Sequence, residues 1–437
     1  MDTLYVCILG IIILLLFLSF GFYVGLALLF VGTIGVAIFT GFRQSISLMA
    51  TTALHFSIDP SFVVLPIFVL MGSVAMYGGI GEAAYNSLRR LIGKLPGGLG
   101  VASIFGCAAF GTICSSSAVT AIVMSKIASP QMRRLGYEKS FAYGIVTSAG
   151  MIGMLIPPSM LAIVYALASG DSVGKLLMAG IGPGMLLSII FSLGVVLMVK
   201  LRPSLAPTLD EEEIPFWKRL SALKDLWAII IVGLIMIGGI YAGVFTANEA
   251  ASFGVLVLLI ISFSKRAITF RKIWNLLLET VATMGMVFLL MIGSKIFALF
   301  MTLAGVAQFL VNVVTAINLL PWQFLIFMMV IYLILGCFFD TFSMIMLTIP
   351  LIRPIVDYIG IDPIWFAMVA IMTIEVGLIT PPIGFNVFSV QTVAESDVTL
   401  TDIFKGTMPF VLMSVISIVI VIFVPQIATF IPNTMLK

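Results

Sequence analysis

GMLIPPS at residues 153–159 and GLITPPI at residues 377–383 decide how this sequence folds. Each sets two consecutive prolines inside an apolar run, 138–169 in one case and 363–394 in the other. Proline lacks an amide hydrogen and collides with the preceding turn, so neither run forms one continuous helix. The surroundings are too apolar for water, and backbone carbonyls freed at such a break are costly unless something takes them.

The rest of the chain shows that lipid is the solvent. Of 437 residues, 61% are hydrophobic and 9% charged, against roughly 45–50% and about 25% for an ordinary soluble domain. A net charge of +3 leaves no basic face for neutralising phosphates, which argues against nucleic acid as a partner. One His and four Cys without a CxxC or HExxH pair are too few for a structural zinc or a haem. Cys7, Cys107, Cys114 and Cys337 read as small residues of a membrane core.

Unbroken apolar stretches, not alternating ten-residue strands, select helices over a barrel. Spans are expected near 4–20, 22–40, 60–78, 138–169, 176–200, 226–245, 248–264, 281–302, 363–394 and 403–430. Two further stretches, 97–131 and 321–354, carry polar or glycine-rich centres, GTICSSSAVT from Gly111 and GCFFDTFS from Gly336. Crossing takes about 20 residues, so each is too long to cross once and too short to cross twice. Both read as re-entrant hairpins. Segment 79–96 reads as an amphipathic helix lying at the interface, and Arg43 and His55 fall in a loop over 42–60.

Hairpins return the chain to the side it left. Arg89, Arg90, Lys94, Arg133, Arg134 and Lys139 then share a side with Lys200, Arg202, Lys218, Arg219, Lys224, Lys265, Arg266, Arg271, Lys272 and Lys405. Arg43, Lys175, Arg353 and Lys437 lie opposite. The positive-inside rule makes the first side cytoplasmic and puts both termini outside. A shift of 224 residues lays Pro130, Gly136, Gly153, Pro157 and Pro158 on Pro354, Gly360, Gly377, Pro381 and Pro382. The expected fold is an all-α polytopic membrane protein of two inverted repeats, 1–200 and 225–437, joined by a cytoplasmic linker over 201–224 that carries the Asp210–Glu213 run. Each repeat holds one hairpin and one discontinuous transmembrane helix. Inverted repeats with broken helices mark secondary transporters that bind near the midplane.

The hairpin tips supply oxygen. One cation site, for Na+, is expected from Ser115, Ser116, Ser117, Gly153 and Pro157, and a second from Gly336, Asp340, Thr341, Thr373 and Thr380. Na+ takes oxygen donors and needs no His or Cys. Gly111, Gly153, Gly336 and Gly377 allow close backbone approach. Helix N-termini aimed at the midplane favour an anion, so a carboxylate solute is expected against Ser117, Thr120, Pro158, Gly384 and Asn386. Asp340 either caps the second limb of its hairpin or lies near the cation. Glu375 is expected to pair with a basic side chain, Lys126 and Lys295 to snorkel to an interface, and Glu249 to cap a helix start.

Taken together, GLITPPIGFNVF, GCFFDTFSMIMLTIP, TANEA, LPGGLG and GMLIPPS resemble the large membrane subunit of the tripartite ATP-independent periplasmic (TRAP) transporters. The resemblance covers nearly the whole chain. It implies a bacterial or archaeal inner-membrane protein, a Na+-driven importer of organic acids such as C4-dicarboxylates or sugar acids. It also implies an elevator-like transport domain moving against a scaffold, a separate small four-helix membrane subunit and a soluble periplasmic binding protein. Ser115 stands where the family usually has Gly, and Thr373 where it commonly has Asn.

Two alternatives belong beside this reading. One is a self-sufficient Na+/carboxylate symporter without a binding protein. The other is an intramembrane enzyme, which needs a serine with a Lys or His base, an aspartate dyad or a metal cluster at depth. His55 is assigned to the outer loop and Lys126 follows the hairpin tip by about 13 Å of helix, so no enzyme activity is expected. A passive channel is disfavoured because halves entering from opposite faces suit alternating access.

Overall fold

The computed structural model describes residues 3–92, 95–207, 224, 226–306, 308–309, 311–312, 319–337 and 339–435. Lys94, Lys437 and most of the expected linker, with Asp210 to Glu213, Lys218 and Arg219, lie outside the described residues. The described elements are all helical. The first half opens with α1 (Thr3–Ser19), α2 (Val24–Thr40), α3 (Phe42–Ile58), α4 (Val64–Tyr77) and α5 (Ile80–Ile92). Then come α6 (Gly98–Cys114) and α7 (Ser117–Arg134), the limbs of the first hairpin, and the broken helix α8 (Lys139–Ala149), α9 (Ile152–Leu155) and α10 (Met160–Ser169). Short α11 (Val173–Ala179) leads into α12 (Ile181–Leu201). The second half runs through α13 (Trp227–Tyr241), α14 (Ala247–Ser264) and the long α15 (Phe270–Leu303). Its hairpin is α16 (Pro321–Gly336) with α17 (Thr341–Ile359), its broken helix α18 (Pro363–Gly377) with α19 (Phe385–Gln391), and α20 (Leu400–Phe423) and α21 (Gln426–Thr434) close the chain.

Both runs with paired prolines are broken, as expected. The first bends by 46° between its halves, and in the second no helix spans residues 378–384. Both Pro–Pro bonds, 157–158 and 381–382, are cis. The hairpins fold back on themselves. Ser103 Oγ of α6 contacts Met132 Sδ of α7 at 3.9 Å, and the hydroxyls of Tyr332 on α16 and Thr348 on α17 meet at 2.9 Å.

Local signals explain where elements begin. Asp362 accepts from the amides of Ile364 and Trp365, with Pro363 at the first helical position, and so starts α18. Thr246 and Glu249 form a reciprocal capping box at the start of α14, the role expected of Glu249. Two boundaries depart from expectation. Residues 42–58, with Arg43 and His55, form helix α3 and not a loop. The stretch contains neither Gly nor Pro, and Gly41, at φ 88°, turns the chain into it. The helix expected over 281–302 begins at Phe270, because the polar turn before the membrane is itself free of helix breakers.

Six described helices are long and apolar enough to cross a membrane, and the bent pair makes a seventh. One of these, Thr341–Ile359, is a hairpin limb; four of the ten expected spans fall instead on apolar helices of 15–17 residues, Tyr5–Ser19, Val24–Thr40, Trp227–Tyr241 and Pro363–Gly377. Parallel helices α2 and α15 meet through glycine. A Cβ on Gly25 would lie 2.8 Å from the Leu290 nitrogen, and one on Gly32 2.6 Å from the Phe297 nitrogen. Small residues of this kind let membrane helices approach backbone to backbone.

Ion pairs fix which ends share a face. Arg133, closing α7, holds Asp397 through two hydrogen bonds of 2.7 and 2.8 Å and also holds Glu395. Lys139, opening α8, pairs with Asp402 of α20 at 2.8 Å. This is the basic face, and the first hairpin enters from it. Across the molecule Arg353 of α17 binds Asp171 at 2.9 and 3.3 Å and also binds Asp357. The second hairpin therefore enters from the opposite face.

The Arg133 guanidinium holds the Asp397 carboxyl below its ordinary range. A carboxylate held low in the folded state contributes stability that is complete above its unfolded value, about pH 4, and is lost as the pH falls through the folded one. Asp397→Asn should therefore lower the thermal midpoint of the detergent-solubilised protein at pH 7. The gap from the parent should close as the pH falls below about 4.

Candidate functional site

The two hairpin tips are built differently. In the first, Ser115 ends α6 in the left-handed region at φ 54°, where its hydroxyl donates to the Pro158 carbonyl at 2.8 Å. Ser116 follows as the N-cap of α7, accepting from the Val119 amide. A left-handed non-glycine residue is unusual, which accounts for the glycine that the TRAP resemblance leads one to expect here. In the second tip Asp340 caps α17, taking the amides of Phe342 and Ser343 at 3.1 and 3.0 Å and the Ser343 hydroxyl. A neutral cap thus closes one tip and a carboxylate the other.

Each tip is pressed onto the broken helix of its own half. A Cβ on Gly111 would land on the backbone of Gly153, and one on Gly336 would lie 2.9 Å from the Gly377 Cα. All four glycines expected to permit close approach do so. Some carbonyls at the breaks are satisfied within the protein. Met154 accepts from the Ser159 hydroxyl, Leu378 from the Asn386 amide at 3.0 Å, and Ile379 from the Thr407 hydroxyl at 3.1 Å. The carbonyls freed by the prolines are therefore not all left open for a cation.

Both tips and both breaks converge on one cavity of about 330 Å³. Ser116, Ser117 and Ala118 come from the first tip, Asp340, Thr341, Phe342 and Ser343 from the second, Met154 from the first break, and Leu378 and Phe385 from the second. The remaining wall is Tyr23, at the start of α2, with Thr283, Met286, Val287 and Leu290 of α15. The Tyr23 hydroxyl donates to the Met286 carbonyl at 3.0 Å. Sequence reading missed this wall, since nothing in the pattern of α2 or α15 tells which turn faces the tips.

Of the expected ligands, the cavity brings together Ser116, Ser117, Asp340 and Thr341. Ser115, Thr120, Gly153, Pro157, Pro158, Gly336, Thr373, Thr380, Gly384 and Asn386 do not line it. The Thr373 and Thr380 hydroxyls each donate to the carbonyl four residues back, at 2.7 Å, leaving only lone pairs to offer. Thr120 and Asn386 are fully buried, and among the described residues the Thr120 hydroxyl and both amide atoms of Asn386 have no hydrogen-bond partner. Gly384 is the left-handed cap of α19. Glu375, expected to pair with a basic side chain, has no such partner among the described residues. It is fully buried, and among the described residues both its oxygens lack a hydrogen-bond partner, with the Ser117 side chain beside it. The reason is position: Glu375 lies in the fully buried last turns of α18, beside the second break.

A larger cavity of about 640 Å³ lies toward the opposite face, between α3, the turn after α10, and α15. His55, Asp59, Asp171 and Lys295 line it, and neither hairpin tip reaches it. Lys295, expected to snorkel to an interface, lines this cavity.

The sequence profile of the family described as "Tripartite ATP-independent periplasmic transporter, DctM component" matches residues 11–427. The chain belongs to that family. This DctM-family chain is 32% identical over 374 residues to the C4-dicarboxylate TRAP transporter large permease protein of Pseudomonas aeruginosa, covering 85% of this chain and 86% of that one. It is 28% identical over 398 residues to the sialic acid TRAP transporter permease of Haemophilus influenzae, covering 90% of this chain and 63% of that longer protein. In fold it is similar to the crystal structure of the Alcanivorax borkumensis YdaH transporter, with a TM-score of 0.66 over 94% of this chain and 97% of that one at 14% identity. It is a multi-pass membrane permease of the TRAP family.

Two substitutions at the tips check this geometry. Ser115→Ala loses the hydroxyl bond to Pro158 and keeps the left-handed penalty, whereas Ser115→Gly loses the bond but removes about 1 kcal/mol of that penalty. Ser115→Ala should be the less stable of the two in thermal unfolding. Gly111→Val should destabilise by about 1–3 kcal/mol or more, because its neighbour is backbone. Gly233→Val, where a Cβ meets nothing within 4 Å, should be close to neutral.

Proposed function

We propose that this DctM-family chain is the large subunit of a Na+-driven importer that moves an organic acid across the inner membrane by an elevator-type motion. One observation carries the reading: two hairpin tips of opposite entry and two broken helices meet at a single cavity walled on its remaining side by α2 and α15. In this reading α2 and α15 belong to the scaffold, and the hairpins with the broken helices form the transport domain. The repeats are taken as 1–200 and 225–437 around a linker over 201–224.

The solute's carboxylate binds at the first tip. There the N-terminus of α7 is capped by neutral Ser116 and its partial positive charge remains available, with Ser117 lining the cavity. Asp340 already occupies the corresponding terminus of α17. The solute thus faces Ser117, with Thr120, Pro158, Gly384 and Asn386 behind it, and Na+ is taken near each tip by the two ligand sets read from sequence: Ser115, Ser116, Ser117, Gly153 and Pro157, and Gly336, Asp340, Thr341, Thr373 and Thr380. Among the described residues no three His, Cys, Asp or Glu side chains gather, so the donors available are hydroxyl and carbonyl oxygens with the one carboxylate of Asp340, and oxygen donors suit a hard ion. Each Na+ entering down the membrane potential supplies about 2.3 kcal/mol per 100 mV.

Placing the basic face in the cytoplasm puts both termini and the larger cavity outside. That cavity serves as the vestibule where solute arrives from a periplasmic binding protein, and a small four-helix membrane subunit completes the transporter. The relatives' names, C4-dicarboxylate and sialic acid permeases, support an organic acid as cargo.

The test is uptake of labelled succinate and sialic acid by proteoliposomes holding this chain, its small subunit and its binding protein. Uptake should require an inward Na+ gradient and fall at least tenfold in Ser117→Ala and Asp340→Ala. Equal uptake with K+ replacing Na+ would refute the coupling. Uptake of free solute without the binding protein would favour the self-sufficient symporter.

A further inference from the structure

Two arginines already met as ion-pair anchors have no part in the cavity between the tips. Arg133 stands in the last turn of the first hairpin's second limb, and Arg353 near the end of the second hairpin's second limb. Neither binds within its own half alone. Arg133 holds Glu395 and Asp397, which follow the broken helix of the second half. Arg353 holds Asp171, which follows the broken helix of the first half, and also Asp357, one turn along its own helix.

The two arrangements correspond through the internal repeat. The shift of 224 residues that superimposes the proline breaks carries Asp171 onto Glu395, and it carries Arg133 onto Asp357. The acid after each broken helix is thus in register in both halves, while the arginine has moved by one helical turn. Each arginine makes one two-pronged contact, but not with the same acid of the repeat: Arg353 grips Asp171 at 2.9 and 3.3 Å, whereas Arg133 grips Asp397 at 2.7 and 2.8 Å and holds the in-register Glu395 through one nitrogen. A bidentate fork of this kind fixes direction as well as distance. Partial burial shields both arginines from water: they are 24% and 18% exposed, and Asp171 is 11% exposed.

We propose that Arg133 and Arg353 are positioning residues forming two crossed clamps, each tying the membrane-surface end of one hairpin to the broken helix of the other half. A hairpin pressed at its tip onto its own half and tethered at its base to the other cannot hinge open alone. The hairpins then move with the broken helices as one body and do not act as separate gates. This deepens the elevator reading and rests on it for its meaning in transport. The clamps themselves are tested without solute or Na+.

Hydrogen–deuterium exchange on the full chain in detergent distinguishes the outcomes. Asp171→Asn, a change in the first half, should raise amide exchange severalfold in the second hairpin, 321–359, and leave the first, 98–134, as in the parent. Glu395→Gln combined with Asp397→Asn should do the reverse. Asp171→Glu, which installs the residue type that the other half carries at this position, should keep the parent's protection. Arg353→Gln attacks the same clamp from its other side and should reproduce the effect of Asp171→Asn, which covers the case that one variant fails to fold. Loosening of both hairpins alike, or of neither, would overturn the clamps. Loss of Na+-driven uptake in the parent would refute the transport reading and leave this result intact.

Discussion

Backbone-to-backbone contact at the middle of the membrane is the constraint on which the architecture depends. Gly111 against Gly153, and Gly336 against Gly377, seat each hairpin tip on its broken helix, and in the first half this contact lets the Ser115 hydroxyl reach the Pro158 carbonyl. In hydrocarbon the carbonyls at the breaks have no water to turn to. Ser115 answers Pro158, Ser159 answers Met154, and Thr407 answers Ile379. A side chain at any of the four glycines would push the tip away from its break, and in the first half would cost the Ser115 bond to Pro158. The breaks and the hairpins are thus one structural decision made twice.

The asymmetry between the tips follows from a single position. Ser116 and Asp340 both cap a helix at its first turn, but only Asp340 brings a charge. An inverted repeat therefore does not give two equivalent electrostatic environments: the two helix ends facing the cavity differ in what they have left to offer an anion. The buried oxygens on Thr120, Glu375 and Asn386, which have no hydrogen-bond partner among the described residues, lie outside the cavity's lining, so polarity in this region extends behind its walls.

Much of this was legible in the sequence, because double prolines and polar centres in apolar runs have few readings in lipid. The hairpins expected over 97–131 and 321–354 occur at 98–134 and 321–359. Ser116, Ser117, Asp340 and Thr341 reach the cavity as their tip positions implied. Helix α3 was hidden because a polar stretch without breakers resembles a loop when only apolar runs are counted. Thr373 and Thr380 suggested ligands by residue type; both hydroxyls donate to the carbonyl four residues back, which leaves their lone pairs, and neither lines the cavity. Tyr23 and Thr283 could not be found, since which turn of one helix meets another is a property of packing and leaves no periodic trace.

The seam between α2 and α15 carries its own consequence. Gly25 and Gly32 are seven residues apart and face Leu290 and Phe297, also seven apart. At about 100° of rotation per residue, a single inserted residue between the two glycines swings the second one off the contact line and drives a bulkier neighbour into it. Seven inserted residues nearly restore the phase. The pair therefore tolerates lengthening only in whole double turns, and behaves as a keyed beam that can be extended but not slipped.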